Sequence, residues 1–247
     1  MEACDYDAAS STIKIEDITS DSINQEILRS LKENDPDFVK LYVRDTPTNN
    51  YLRKNRPFNE YRPGRAQEVG WLGYFIGKNT LLRELRLCSV KIESNNVIET
   101  IIEALGAHPQ LEKLFLIDMN MGRYESMMAL VALLRVTSDL HTLDLCNNSI
   151  YDEGVEALVG ALTNNNLCEL VLSTNRSITA RGYKSLATLL ESKDCSLKKL
   201  YLNHNIIRDE GAGILVNALV SNRKLATLDL YDNGITTEGW SSFAKVL

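Results

Sequence analysis

A repeat decides this fold, because self-similarity at a fixed period commits a whole chain to a stack of like units. Six segments share one frame: LRELRLCSVKI from Leu82, LEKLFLIDMNM from Leu111, LHTLDLCNNSI from Leu140, LCELVLSTNRSI from Leu167, LKKLYLNHNII from Leu197 and LATLDLYDNGI from Leu225. Their starts lie 29, 29, 27, 30 and 28 residues apart. Each reads L-x-x-L-x-L, and the last four carry Asn at the ninth position: Asn148, Asn175, Asn205 and Asn233. Between them, DEGVEALVGAL, ARGYKSLATLL, DEGAGILVNAL and TEGWSSFAKVL set Gly154, Gly182, Gly211 and Gly239 at one offset. Apolar residues follow each glycine at helical spacing, as in Val155, Leu158, Val159 and Leu162. A short strand followed by an amphipathic helix cannot bury its apolar face alone. Stacked copies bury it jointly.

The frame assigns roles. Leucines at positions one, four and six point into the core between strand and helix. The ninth-position Asn sits where the chain turns off the strand, and its amide satisfies backbone groups that a buried turn would leave unpaired. The period and the L-x-x-L-x-L-x-x-N frame over residues 82–247 resemble leucine-rich repeats of the ribonuclease-inhibitor type. Similar repeats occur in nucleotide-binding immune receptors, in activators of the Ran GTPase and in tropomodulin. The resemblance implies an α/β solenoid, a horseshoe of about seven strand–helix repeats with a parallel concave sheet and outer helices. Two departures stand out. The ninth position is Val90 and Met119 in the first two frames, which breaks the asparagine ladder there, and the cysteine-rich composition of ribonuclease inhibitors is absent.

Upstream, FVKLYV at 38–43 fits the same frame. A helix over 22–34, with Ser22 as N-cap, Gln25 three residues on and Pro36 ending it, is expected to close the stack. Residues 1–21 are acidic and are expected to be disordered. From Phe38 to Leu82 is 44 residues, about 15 more than a repeat; since 66–79 reads as the outer helix, an insertion falls at 45–64. Repeats therefore begin near 38, 82, 111, 140, 167, 197 and 225. Leu247 aligns with Leu162, Leu190 and Leu219 at the close of an outer helix, so the reading is of a fragment of a longer protein, truncated C-terminally.

Positions three, five, seven and eight of each frame leave the strand toward the concave side. They offer Tyr42, Arg44, Arg86, Phe115, Asp144, Tyr201, Asp229 and Tyr231 as candidate partner-binding residues. Exposed aromatics bury large area at little entropic cost, which suits interface hot spots. The insertion adds Arg53, Arg56, Phe58, Tyr61 and Arg62. These point to a non-catalytic protein-protein interaction module. The alternative drawn from the resemblance is a GTPase activator that supplies an arginine from an early strand-to-helix loop, where Arg53, Arg56, Arg62 and Arg65 lie.

Other classes find little support. The net charge of −6 argues against general nucleic-acid binding, although 44–65 is basic and aromatic. No apolar run approaches the ~20 residues of a membrane span, and the acidic start lacks a signal-peptide pattern, which points to a cytoplasmic or nuclear setting. The five cysteines form no C-x-x-C pair. His108, His141 and His204 have no Cys or Asp at useful spacing and read as surface residues. We expect no metal, no cofactor, no small-molecule ligand and no catalytic residue.

Overall fold

The computed structural model describes residues 6–45, 57, 59–90, 97–106, 108–163 and 165–246, in two compact units, Met1–Leu111 and Glu112–Leu247. The first holds helices α1 (Tyr6–Ser10), α2 (Ile15–Ile18) and α3 (Ser22–Glu33), strands β1 (Lys40–Arg44) and β2 (Glu60–Tyr61), helix α4 (Ala66–Lys78), strand β3 (Glu84–Cys88) and helix α5 (Val97–Leu105). The second alternates β4 (Lys113–Ile117), α6 (Tyr124–Val136), β5 (Thr142–Asp144), α7 (Asp152–Leu162), β6 (Glu169–Val171) and α8 (Ala180–Glu191). It continues with β7 (Lys199–Tyr201), α9 (Arg208–Leu219), β8 (Thr227–Asp229) and α10 (Thr237–Phe243). Strand order is β2-β1-β3 in the first unit and β4-β5-β6-β7-β8 in the second, with parallel pairing throughout both. This is the strand–helix solenoid that the period predicts.

From Leu82 to Leu202, every leucine at positions one, four and six is buried. Each contributes roughly 1.5–3 kcal/mol of transfer free energy. Leu225 and Leu228 of the last frame are only half-buried.

The asparagine ladder works across repeats. Asn175 Nδ2 donates to Leu145 O (2.9 Å) one repeat back, while its Oδ1 accepts from Asn148 N and Ile150 N, both at 3.0 Å. Asn205 and Asn233 repeat the pattern on Leu172 O and Leu202 O, and each accepts the backbone N–H of the preceding ladder residue. Asn148 accepts from Met119 N (2.8 Å), so the ladder reaches a frame that lacks its own Asn. One residue earlier, the chain turns through the left-handed region in all six frames, at Ser89, Asp118, Asn147, Thr174, His204 and Asp232. Short polar side chains tolerate that conformation best.

A second, unforeseen ladder ties successive helix starts. Asp152 accepts from Thr179 N (2.8 Å), Thr179 Oγ1 (2.6 Å) and Gly182 N (3.0 Å); Asp209 accepts from Thr236 N and Thr236 Oγ1 at 2.8 and 2.6 Å. The hydroxyl of Thr236 holds the Asp209 carboxyl below its usual range. A Cβ on Gly182 would lie 2.6 Å from Asp152 Oδ1, and one on Gly239 would overlap Asp209 Oδ1. Close approach, then, is what the repeated glycine serves at these two places.

The N-terminal unit departs from expectation in four ways. Residues 6–18, expected to be disordered, carry α1 and α2: Ile15 and Ile18 are buried, and the Tyr6 ring meets Trp71 edge-on at 4.8 Å. Helix α3 is capped by Asp21, whose carboxylate accepts from Asn24 N (2.8 Å), rather than by Ser22, and it ends in the left-handed residue Asn34, two residues ahead of Pro36. The insertion returns to the sheet as β2, parallel to β1 and on the side away from β3, which makes eight strands among the described residues. Finally, His108 is buried, at 6% exposure, rather than a surface residue.

That histidine occupies a recurrent place. Asn79, Asn165 and Asn222 stand where a helix turns into the next strand. Each donates to a carbonyl at the end of the preceding helix (Leu31, Leu134, Leu190) and accepts from the coming leucine's N–H (Leu82, Leu167, Leu225). In the frame starting at Leu111 the corresponding residue is His108. It accepts from Gln110 N at 3.4 Å and leaves a buried Nε2 with no partner among the described residues. Burial holds its pKa below the usual histidine value.

Candidate protein-binding face

Parallel register sets like positions side by side, about 4.8 Å apart. Position five of the second unit forms the row Phe115, Asp144, Val171, Tyr201, Asp229. Four of the residues expected at a partner surface thus share one row, two aromatic rings and two carboxylates with Val171 at its middle. Tyr231 lies just beyond the end of β8 and is 70% exposed. Its ring meets His204 edge-on at 5.4 Å, and His204 Nδ1 lies 2.8 Å from Asp232 Oδ2.

Backbone contacts fix the carboxylates on this face. Asp144 Oδ1 accepts from Cys146 N (2.9 Å) and Asp229 Oδ1 from Tyr231 N (3.0 Å), each turning its strand's exit. Lys199 pairs with Glu169 at 3.2 Å, which raises the lysine's pKa. Over positions three to eight, Lys113 and Lys199 stand against Asp118, Asp144, Glu169, Asp229 and Asp232, so the face is acidic. Burial raises the Cys146 thiol's pKa, which leaves it no activated nucleophile.

In the first unit, Tyr42 pairs across the sheet with Arg86, whose guanidinium lies 5.5 Å from the Tyr42 ring centroid. The basic residues of this face are held by buried carboxylates. Arg86 Nε sits 2.7 Å from Glu84, Lys40 3.9 Å from the same carboxylate, and Arg44 2.9 Å from Glu60. Glu60 and Glu84 are buried at 4% and 5% exposure, and neither belonged to the residues expected to bind. Their signal in the sequence was weak: Glu84 reads as an outward position-three residue, and Glu60 sits inside an unpatterned insertion.

Of the insertion residues expected to bind, Arg53, Arg56 and Phe58 lie outside the described residues. Tyr61 and Arg62 are withdrawn from the surface, at 0% and 7% exposure. Tyr61 is in β2, and Arg62 binds Glu60 through Nε and Nη2, both at 2.5 Å. The Arg62 backbone exchanges two hydrogen bonds with the Asn24 side chain (2.9 and 3.1 Å), locking the strand's exit onto α3. Arg65 donates to Ile18 O (3.0 Å) and faces Glu68 at 3.6 Å. Two of the four arginines considered for a GTPase-activating role are therefore committed to internal contacts. Among the described residues no group of three His, Cys, Asp or Glu side chains is placed to hold a metal ion, and no helix is long and apolar enough to cross a membrane.

Comparison with known proteins agrees with the frame. The leucine-rich repeat family matches residues 138–159, 193–213 and 221–244. Mouse ribonuclease inhibitor is 35% identical over 141 residues, covering 56% of this chain and 30% of the inhibitor. Human capping protein, Arp2/3 and myosin-I linker protein 3 is 28% identical over 204 residues, covering 80% of this chain and 14% of that protein. The chain thus spans under a third of the length of either relative. A solved Bacteroides fragilis protein aligns over 99% of this chain and 71% of its own, with a TM-score of 0.50 at 13% identity, a likeness of fold alone.

Proposed function

This chain being a ribonuclease-inhibitor-like leucine-rich repeat protein, we propose that it is a non-catalytic protein-interaction module acting in the cytoplasm. The strand face of the second unit receives the partner. The observation that carries this reading is Tyr231, a large ring 70% exposed at the end of a row that already holds Phe115 and Tyr201. Large amphipathic rings on a rigid strand lattice supply interface area with little side-chain entropy to lose. Five carboxylates against two lysines suit a partner segment that is itself basic. Tyr42, Arg44 and Arg86 form a separate, internally neutralised patch that plays the smaller part.

Affinity capture tests the reading. The triple variant Phe115→Ala, Tyr201→Ala, Tyr231→Ala, shown to be folded by circular dichroism, is expected to lose the protein recovered by the wild type, at about 2 kcal/mol or more for a central ring. Equal recovery by both proteins sinks it.

A further inference from the structure

We propose that a cleft at the strand-entry side of the second unit binds a phosphate monoester carried by a protein segment. The cleft is about 580 Å³ and open, and its lining includes His141, Asn166, Ser196, Lys198, Arg223 and Lys224. No carboxylate lines it, in a chain whose net charge is −6.

The repeat builds this cluster. His141, Cys168 and Lys198 are second-position residues of successive frames, stitched by Cys168 N to His141 O (2.9 Å) and Lys198 N to Cys168 O (2.8 Å). Asn166, Ser196 and Lys224 each precede a frame by one residue, so two adjacent rows supply side chains to one groove. Three of these groups are positioned by backbone carbonyls. Lys224 Nζ donates to Lys193 O (2.6 Å), Arg223 Nη1 to Val220 O and Asn222 O (2.9 and 3.1 Å), and Asn166 Nδ2 to Ser138 O (3.2 Å). These bonds leave Arg223 Nη2 and Nε, the other Lys224 protons and the Ser196 hydroxyl for a ligand. No ion pair forms at Lys198, Arg223 or Lys224 among the described residues. Arg181, by contrast, is held by Glu153 and Glu156 at 2.7 Å each.

The chemistry selects the ligand. A phosphate monoester carries about −1.5 to −2 charge and three acceptor oxygens, which a guanidinium fork and two ammonium groups match in charge and donors. Three cations are fewer than the cluster of about four to eight that holds anionic membrane. They are also fewer than the roughly six to ten phosphate contacts of a firm nucleic-acid site. A single phosphorylated side chain asks for no more than is here.

The test is a ¹H–¹⁵N NMR titration with O-phosphoserine, with serine as control. Shifts are expected to be confined to residues around Ser196, Lys198 and Lys224, and to be absent with serine. The Lys198→Ala, Lys224→Ala variant, both side chains being exposed, is expected to keep the spectrum of the folded protein and weaken binding about tenfold or more. No shifts, or equal shifts at unrelated lysines such as Lys184 and Lys245, overturn the proposal. In a second arm the protein is sedimented with phosphatidylcholine vesicles containing phosphatidylinositol 4,5-bisphosphate. Co-sedimentation that the double variant abolishes, without a phosphoserine response, would make the site a membrane contact and overturn the proposal too.

Discussion

The two units hold their strands together by different means, and each leaves a different face to solvent. In the second unit one neutral device, the side-chain amide of a turn asparagine, is used again and again: Asn148, Asn175, Asn205 and Asn233 each bind the repeat before them. With that device at the turns, the strand face carries only lighter pairing, such as Lys199 with Glu169 at 3.2 Å, and keeps Tyr231 and Asp232 at the surface. In the first unit the ninth-position asparagine is missing, and single-use contacts take over: Asn24 on the Arg62 backbone, and buried Glu60 and Glu84 on three arginines. There the charges of the strand face are consumed in holding the fold. A periodic device frees a surface; an improvised one occupies it.

Breaking either device tests the contrast, and the largest effect is expected in the ladder. Asn175→Ala leaves Asn148 N, Ile150 N and Leu145 O without their buried partner, which should cost about 4 kcal/mol in chemical denaturation. The same variant should speed hydrogen exchange at the Asn148 and Ile150 amides. In the first unit, Glu60→Ala strands the buried Arg62 guanidinium and should cost about 3 kcal/mol. If Glu60→Ala is neutral, the ion network is surface decoration and the contrast fails.

Smaller effects sharpen it. Tyr6→Ala removes the ring seated on Trp71 and Tyr74 and should cost about 1 kcal/mol, with a change in Trp71 fluorescence. The smallest expected effect is a slope with pH. His108 has a folded pKa below its unfolded value near ~6.5. Below that pH the unfolded chain binds the proton first, so stability falls as pH drops from there toward the folded pKa. Thermal melts at successive pH values should show this decline in the wild type and a flatter profile in His108→Asn.

What the sequence disclosed follows the same division. The frame located every strand from β3 to β8 and the buried leucines, because one physical problem recurs at one spacing and leaves one pattern. Asp152 and Asp209 were visible in the two DEG strings, but their partners Thr179 and Thr236 lie 27 residues on, a pairing that only stacking reveals. The return of Glu60–Tyr61 to the sheet edge has no periodic signal at all: a two-residue strand carries no alternation, and its partners Asn24 and Arg44 come from α3 and β1. Of the candidate face, Phe115, Asp144, Tyr201 and Asp229 were readable as one position of the frame. The neutralisation of Arg44 and Arg86 was not, because it depends on two carboxylates whose burial is set by tertiary packing.

We propose that the open face of the second unit, rather than the neutralised face of the first, holds the partner. The direct measurement is the affinity of the captured partner for two folded double variants, Tyr201→Ala with Tyr231→Ala and Tyr42→Ala with Arg86→Ala. We predict a loss of about tenfold or more for the first pair and a change within about twofold for the second. The reverse order, with Tyr42 and Arg86 carrying the affinity, would contradict it.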